Sequence, residues 1–257
     1  MNDAREAAQH LINVGRLLND PRSTGFGLNL LSWIALISDC HAEALEFSEQ
    51  SLAVAVTPWD RTVATLAKAC ALMLLRKPEQ AMKLLQTQQL RITADGDFYS
   101  SIPIDLMFGV HKILQGNFAK GIHDVEELIS QLEKKDYRAA ANSYRLNLAD
   151  IYLRIIVGNE KPPLPVLLKN LSFLLMVIIT GSSRIRALIA PVLNSPHIDL
   201  NGFQAGKSRM ILGLLYKAKK KRVLALEHLR EAQRILSQFG QTPILTRVET
   251  ALAELAQ

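Results

Sequence analysis

A spacing of small and apolar residues recurs along this chain and limits how it can fold. The clearest copy comprises Leu212, Gly213, Tyr216, Ala225, Leu229 and Ala232. Small residues at these positions let two helix axes approach closely where the helices cross. The spacing therefore predicts a hairpin of two α-helices, with a turn near Lys219.

Weaker copies of the spacing predict that most of the chain is built the same way. They lie near residues 31–52, 69–85 and 108–128, while residues 148–152 supply a first helix whose partner is displaced. Aromatic residues make up only 6% of the chain, its apolar content is mostly Leu, Ala and Ile, and no strand-like alternation occurs. Such composition favours helices over strands.

The spacing resembles that of the tetratricopeptide repeat, in which pairs of helices stack on their neighbours. We therefore predict an all-α protein, a right-handed α-solenoid of about thirteen helices that forms a single domain over residues 1–257. The expected helical pairs lie near residues 24–54, 58–90, 100–134, 138–178 and 203–238, with a closing helix at 242–256.

Longer segments resemble the C-terminal helical region of bacterial class III adenylate/guanylate cyclases, in which a cyclase domain and an AAA-type ATPase module precede that region. They include "AVTPWDR", "SYRLNLADIYLRIIVGNEKPPLPVLLKNLSFLL" and "GLLYKAKKKRVLALEHLREAQRIL". The resemblance implies a regulatory or protein-binding role in a cytoplasmic signalling protein. It also implies that the chain corresponds to a C-terminal piece of such a protein.

The catalytic activities of that family do not carry over to this sequence. It contains no GxxxxGK[ST] loop, and no predicted sheet could hold the two metal-binding aspartates of a cyclase. We therefore predict a module that is not an enzyme by its own residues, with no cofactor and no metal. The alternative is an enzyme fragment that is active only together with cyclase and ATPase modules.

Five residues are candidates for contacts with a protein or peptide partner. In tetratricopeptide repeats the first helix of each pair lines a groove, and the resemblance places these residues on or next to that surface. They are Trp33, Asp150, Arg154, Lys207 and Lys217.

A second candidate surface is a basic stretch between Gly181 and Arg222, where nine basic residues accompany one acidic residue. It ends in the basic patch Lys219, Lys220, Lys221 and Arg222, which the repeat spacing places in an exposed turn. The stretch could instead contact an acidic protein surface, nucleic acid or anionic lipid. Aromatic residues do not interleave with it as in single-strand binders, so a nucleic-acid partner is not expected. A membrane partner is not expected either.

Three short motifs could carry chemistry, and for each we favour an ordinary structural interpretation. They are His123 with Glu126 and Glu127, Cys40 with His41, and Gly181–Arg186. The first lacks a second cluster to complete a metal site. Adjacent residues on a helix do not face each other, which argues against the second as a nucleophile and base. The third is expected to cap a helix start, with phosphate binding as the alternative.

The chain has only two cysteines, too few for a disulfide framework, which indicates a reducing compartment. Its N-terminal residues contain acids and no apolar run, so they do not resemble a signal peptide. The longest apolar run, Leu171–Thr180, has ten residues, whereas a membrane-spanning helix needs about twenty. We predict that this run is a buried helix. The alternative is an interfacial helix beside Lys169, Arg184 and Arg186.

Overall fold

The computed structural model describes residues 2–95, 98–158, 163–196 and 198–256, and every regular element within them is a helix. The all-α prediction is therefore confirmed for this part of the chain. The helices are α1 (Asn2–Leu17), α2 (Pro21–Ile37), α3 (His41–Ala53), α4 (Pro58–Leu74), α5 (Pro78–Asp95), α6 (Phe98–Leu114), α7 (Phe118–Lys134), α8 (Arg138–Val157), α9 (Leu164–Lys169), α10 (Leu171–Leu193), α11 (Phe203–Ala218), α12 (Arg222–Leu236) and α13 (Pro243–Ala256), with a short 3-10 helix at Ser237–Phe239.

The chain divides into two compact units, Met1–His111 and Lys112–Gln257. In the N-terminal unit, Ala8 and Ile12 of α1 pack against Leu28 and Leu31 of α2. In the C-terminal unit, α11 and α12 form the most extensive helix pair, and α8 packs against α7, α10 and α11. That the whole chain forms a single domain stays a prediction.

Six of the described connections between helices are three residues long and share one geometry. Each has its middle residue in the left-handed region, with φ between 51° and 75°. The next amide then donates to the carbonyl five residues earlier, at N–O distances of 2.7–2.9 Å. This arrangement satisfies carbonyls that the end of a helix leaves unpaired. The middle residues are Asn19, Asp39, Arg76, Gly116, Asp136 and Lys220.

Small residues permit close helix contacts where the sequence spacing predicted them. A Cβ added to Gly213 of α11 would lie 2.6 Å from Cγ of Leu229 in α12, and at Gly206 it would lie 2.8 Å from Leu236. Ala225, on the same face of α12, is completely buried. Larger side chains at these positions would separate the two helices.

The start of α4 shows how local sequence sets a helix boundary. Thr57 accepts a hydrogen bond from the Asp60 amide, the Asp60 carboxylate accepts one from the Thr57 amide, and Pro58 occupies the first helical position. This reciprocal pair is a capping box. The sequence "TPWD", with Thr before the helix and Pro at its first position, predicts this helix start by itself, and the structure confirms it.

Contacts between side chains give the directions of the central helices in the C-terminal unit. Gln204 donates to Ser143 and Lys207 donates to Asn147, so α11 runs parallel to α8. Arg184 contacts Tyr152, and Gly181 lies against Ile156. The residue numbers therefore run in opposite directions along α8 and α10, and these two helices are antiparallel.

The prediction that Leu171–Thr180 is a buried helix is only partly right. The run forms the first half of α10, whose buried residues are Val177, Gly181, Ile185, Ile189 and Val192. These five lie on one face, which packs against α8. Several large aliphatic side chains in the first half of α10 are exposed, because no described helix covers them.

The shared turn geometry predicts that Lys220→Gly stabilises the protein. Lys220 has φ of +56°, and a side chain in the left-handed region costs about 1–2 kcal/mol. Greater freedom of glycine in the unfolded chain offsets part of this gain, so we expect about 0.5–1 kcal/mol in the free energy of unfolding.

Lys219→Gly is the matched control, because it removes the same charge at a residue with φ of −86°. Urea denaturation should show no stabilisation for this control. Equal midpoints for the two variants would contradict the role assigned to the left-handed residue.

Candidate functional site

Asp150 forms the centre of a charged cluster in the C-terminal unit. It is 8% exposed. One carboxylate oxygen accepts from Arg154 Nε on the same helix, and the other accepts from Arg247 Nη2 of α13, both at 2.9 Å. Lys207 of α11 lies near this carboxylate and donates to Asn147 Oδ1 at 3.2 Å. The cluster thus joins α8, α11 and α13.

The electrostatics of this cluster favour an ionised aspartate. Burial opposes ionisation of Asp150 and is the largest single influence on its pKa. The charges of Arg247, Arg154 and Lys207, with the Arg247 hydrogen bond, outweigh burial and lower the pKa below its ordinary value. Asp150 is therefore a carboxylate at neutral pH and holds three cationic side chains around it.

Arg247 was not among the predicted contacts, although it completes the cluster. It lies 97 residues from Asp150 in the sequence. The Asp150–Arg154 spacing of four is a recognisable helical ion pair, but no local pattern indicates a third partner from α13. Among the residues that the structure describes, Arg247 Nη1 is buried and has no hydrogen-bond acceptor. An unsatisfied guanidinium donor of this kind is costly.

The structure places the other two groove candidates elsewhere. Lys217 lies near the C-terminal end of α11, where its ammonium forms an ion pair with Glu254 of α13. Trp33 is half-buried on α2 and belongs to the N-terminal unit. Asp150, Arg154 and Lys207 are therefore brought together, whereas Lys217 is engaged in a separate ion pair.

The N-terminal unit has a shallow pocket that the sequence interpretation missed. Phe26 and Trp59 stack at its edge, with ring centroids 6.4 Å apart, and both rings are partly exposed. Asn29 lines the same pocket, and its buried Nδ2 has no acceptor among the described residues. Phe26 and Asn29 are three residues apart in α2, but the contribution of Trp59 depends on the packing of α4.

The basic patch comprises the turn Lys219–Lys221, where the repeat spacing predicted a turn, and Arg222, the first residue of α12. Lys219, Lys220, Lys221 and Arg222 are all exposed. Lys221 is the last residue before α12 and makes no side-chain cap to it. The turn geometry comes from backbone hydrogen bonds, so these four side chains are not required to form it.

Gly181–Arg186 does not begin a helix, and this prediction is wrong. The segment lies in the middle of α10, because the apolar periodicity continues through the two serines. It therefore has neither a helix cap nor the unpaired amides of a helix N-terminus that could bind phosphate. Arg184 instead donates to Tyr152 Oη at 3.0 Å and to Glu126 at 3.2 Å.

In the motif of His123, Glu126 and Glu127, Glu126 has partners that explain its position without a metal. Glu126 also accepts from Tyr152 Oη at 3.0 Å, and burial is the main cause that raises the Tyr152 pKa to about 12. Within the described ranges, no group of three or more His, Cys, Asp or Glu side chains could hold a metal.

Neither cysteine is an activated nucleophile. Cys40 directly precedes α3 rather than lying within a helix, and burial is the main cause that raises its pKa. Complete burial raises the pKa of Cys70 to about 12. Nucleophilic cysteines instead have a lowered pKa that favours the thiolate.

Comparison with known proteins gives no family for this chain: no family model, no curated protein and no solved structure matches it.

The cluster geometry predicts that Asp150→Asn lowers the free energy of unfolding at neutral pH by about 1–3 kcal/mol. This is less than for a fully buried ion pair, because both arginine side chains are partly exposed and water screens their charges. Since the folded-state pKa of Asp150 is lowered, its contribution is complete above the unfolded-state pKa. It is lost as the pH falls through the folded-state pKa.

Urea denaturation at about pH 7 and at about pH 3 checks this prediction. The difference in unfolding free energy between wild type and Asp150→Asn should shrink at the lower pH. The exposed Asp3 of α1 supplies the control variant Asp3→Asn. An equal, pH-independent loss in both variants would contradict the prediction.

Proposed function

We propose that this chain is a non-catalytic protein-interaction module whose C-terminal unit binds an acidic segment of a partner protein. The observation that carries the proposal is the cationic cluster of Arg154, Lys207 and Arg247 around Asp150. Its side chains come from three helices that meet in one unit. The side chains of Arg154 and Arg247 are partly exposed, so a carboxylate from a partner can form charge-assisted hydrogen bonds with this cluster.

Lys207 strengthens this assignment because its ammonium hydrogen-bonds a neutral amide oxygen rather than a carboxylate. Its positive charge is only partly offset by the single carboxylate that it shares with two arginines. An incoming carboxylate gains a charge-assisted hydrogen bond at this position. Lys217, by contrast, already has Glu254 as its counter-ion.

The finer architectural part of the proposal is that the helical hairpins are degenerate tetratricopeptide-like repeats of a right-handed α-solenoid. The shared three-residue turns and the close contact of Gly213 with Leu229 support it. The resemblance to the helical region of class III cyclases adds that the module serves a cytoplasmic bacterial signalling protein. There it would bind the upstream domains or a separate regulatory protein.

A binding experiment tests the proposed function with two labelled peptides, one alternating Glu and Ala and the other alternating Lys and Ala. Fluorescence anisotropy should detect saturable binding of the acidic peptide alone. Lys207→Gln should weaken that binding about tenfold, the effect of one charge-assisted hydrogen bond.

Lys217→Gln is the matched control, since it removes one positive charge from the same helix at a residue that is already paired. Its effect should be within about twofold. The proposal fails if the acidic peptide does not bind, or if the two lysine variants lose affinity equally.

The alternative of an enzyme fragment is tested by assaying the purified chain for cyclic-nucleotide formation and for ATP hydrolysis. We expect neither activity above the background of a mock purification, because the chain lacks the phosphate-binding loop on which ATP hydrolysis in the family depends. Either activity, co-purifying with the chain through two columns, would contradict a non-catalytic module.

A further inference from the structure

Helix α9 and the first half of α10 carry a group of exposed large aliphatic side chains. Its six large side chains are between 50% and 79% exposed. The first five recur at intervals of three or four residues, the spacing of one side of a helix, and the sixth directly follows the fifth. They are Leu164, Leu168, Leu171, Leu175, Ile178 and Ile179. We call this the aliphatic face.

The helices that carry the aliphatic face are fixed to the body of the unit. Asn170, between α9 and α10, donates to the Gly116 carbonyl at 2.7 Å and accepts from the Phe118 amide at 3.3 Å. Val166 packs against Gly116, and the buried side of α10 packs on α8. The exposed side chains are therefore presented by a packed element rather than by a loose segment.

The surroundings of the aliphatic face are basic. Residues 161–198 contain no Asp or Glu, and Lys169 and Arg186 in this stretch are exposed. Exposed apolar residues accompanied along the same stretch by cations and by no acidic residue are complementary to an anionic bilayer surface. A second copy of the same face would bring like charges together, so these charges favour lipid over self-association.

The basic patch lies at the same end of the unit as the aliphatic face. Because α10 is antiparallel to α8, it begins at the end where α8 finishes. Because α11 is parallel to α8, its C-terminal turn lies at that end too. The patch is followed directly by Val223, which is 79% exposed, and Leu224, which is 37% exposed. The aliphatic face and the basic patch therefore lie at one end of the unit, and each places exposed aliphatic residues next to cations.

By length and composition alone, α10 is the one helix in the described ranges that could cross a membrane. Five of its residues are buried in a face that packs on α8, and Arg184 is held by Glu126 and Tyr152. Crossing a bilayer would require α10 to leave these contacts. Lying on the surface requires no such change.

We propose that the aliphatic face and the basic patch together dock the C-terminal unit onto an anionic bilayer surface. The aliphatic side chains enter the boundary between headgroups and acyl chains, while the lysines of the patch attract anionic headgroups. This membrane contact goes beyond the proposed peptide binding and uses different residues. Failure of one proposal leaves the other standing.

Vesicle flotation with the full chain tests the proposal, using phosphatidylcholine vesicles with and without phosphatidylserine. The wild type should float only with the phosphatidylserine vesicles, and less at higher salt. The triple variant Leu175→Gln, Ile178→Gln and Ile179→Gln should bind at least about tenfold more weakly. These residues are exposed, so the helical circular dichroism should be unchanged.

Two further variants separate the apolar contribution from the electrostatic one. Changing Lys219, Lys220 and Lys221 to Ser should weaken binding about tenfold to a hundredfold, and should reduce its dependence on salt. The matched apolar control changes exposed aliphatic residues of the N-terminal unit, and its affinity should equal that of the wild type. The control substitutions are Leu17→Gln, Leu18→Gln and Val56→Gln.

The proposal is overturned if the wild type does not float with either vesicle, or if the control triple loses as much binding as the α10 triple. It is also overturned if the wild type is a dimer in light scattering, does not float, and becomes monomeric with the α10 triple. In that case a second copy covers the aliphatic face.

Discussion

The short turn between successive helices is the constraint on which the rest of this structure depends. With three residues between two helices, the second helix must reverse direction and lie against the first. A left-handed residue in the middle lets the chain reverse and lets the next amide reach back five residues. The helices then approach so closely that small residues are needed at the contact. Gly213 beside Leu229 is the clearest case.

Packing between helices that are distant in sequence determines which polar groups can meet. In the C-terminal unit α8 and α11 run in one direction, and α13 presents Arg247 to Asp150 of α8. Charged residues that are distant in sequence therefore converge on one buried carboxylate. The cost of burying Asp150 is offset by the cations around it, which is why its pKa falls rather than rises.

The helix α10 follows a different rule from its neighbours. A helix within a stack is covered on two sides by its neighbours. Helices α11 and α12 bury many small and apolar residues, as this arrangement requires. The buried residues of α10 pack toward α8 and α11, and strongly apolar residues of its first half such as Ile179 remain exposed. Leaving this apolar surface in water is unfavourable, and this is the physical basis of the membrane contact that we propose.

The sequence alone determined the helical class, the helix start at Thr57 and the turn at Lys219–Lys221, because capping and periodicity are encoded within a few neighbouring residues. It also gave Asp150 and Arg154 as candidate contacts. Only the tertiary structure decided that Arg247 joins them and that aliphatic residues in the first half of α10 are exposed. Both depend on which distant segments pack together, and hydrophobicity at Gly181–Arg186 could not distinguish a helix start from a helix interior.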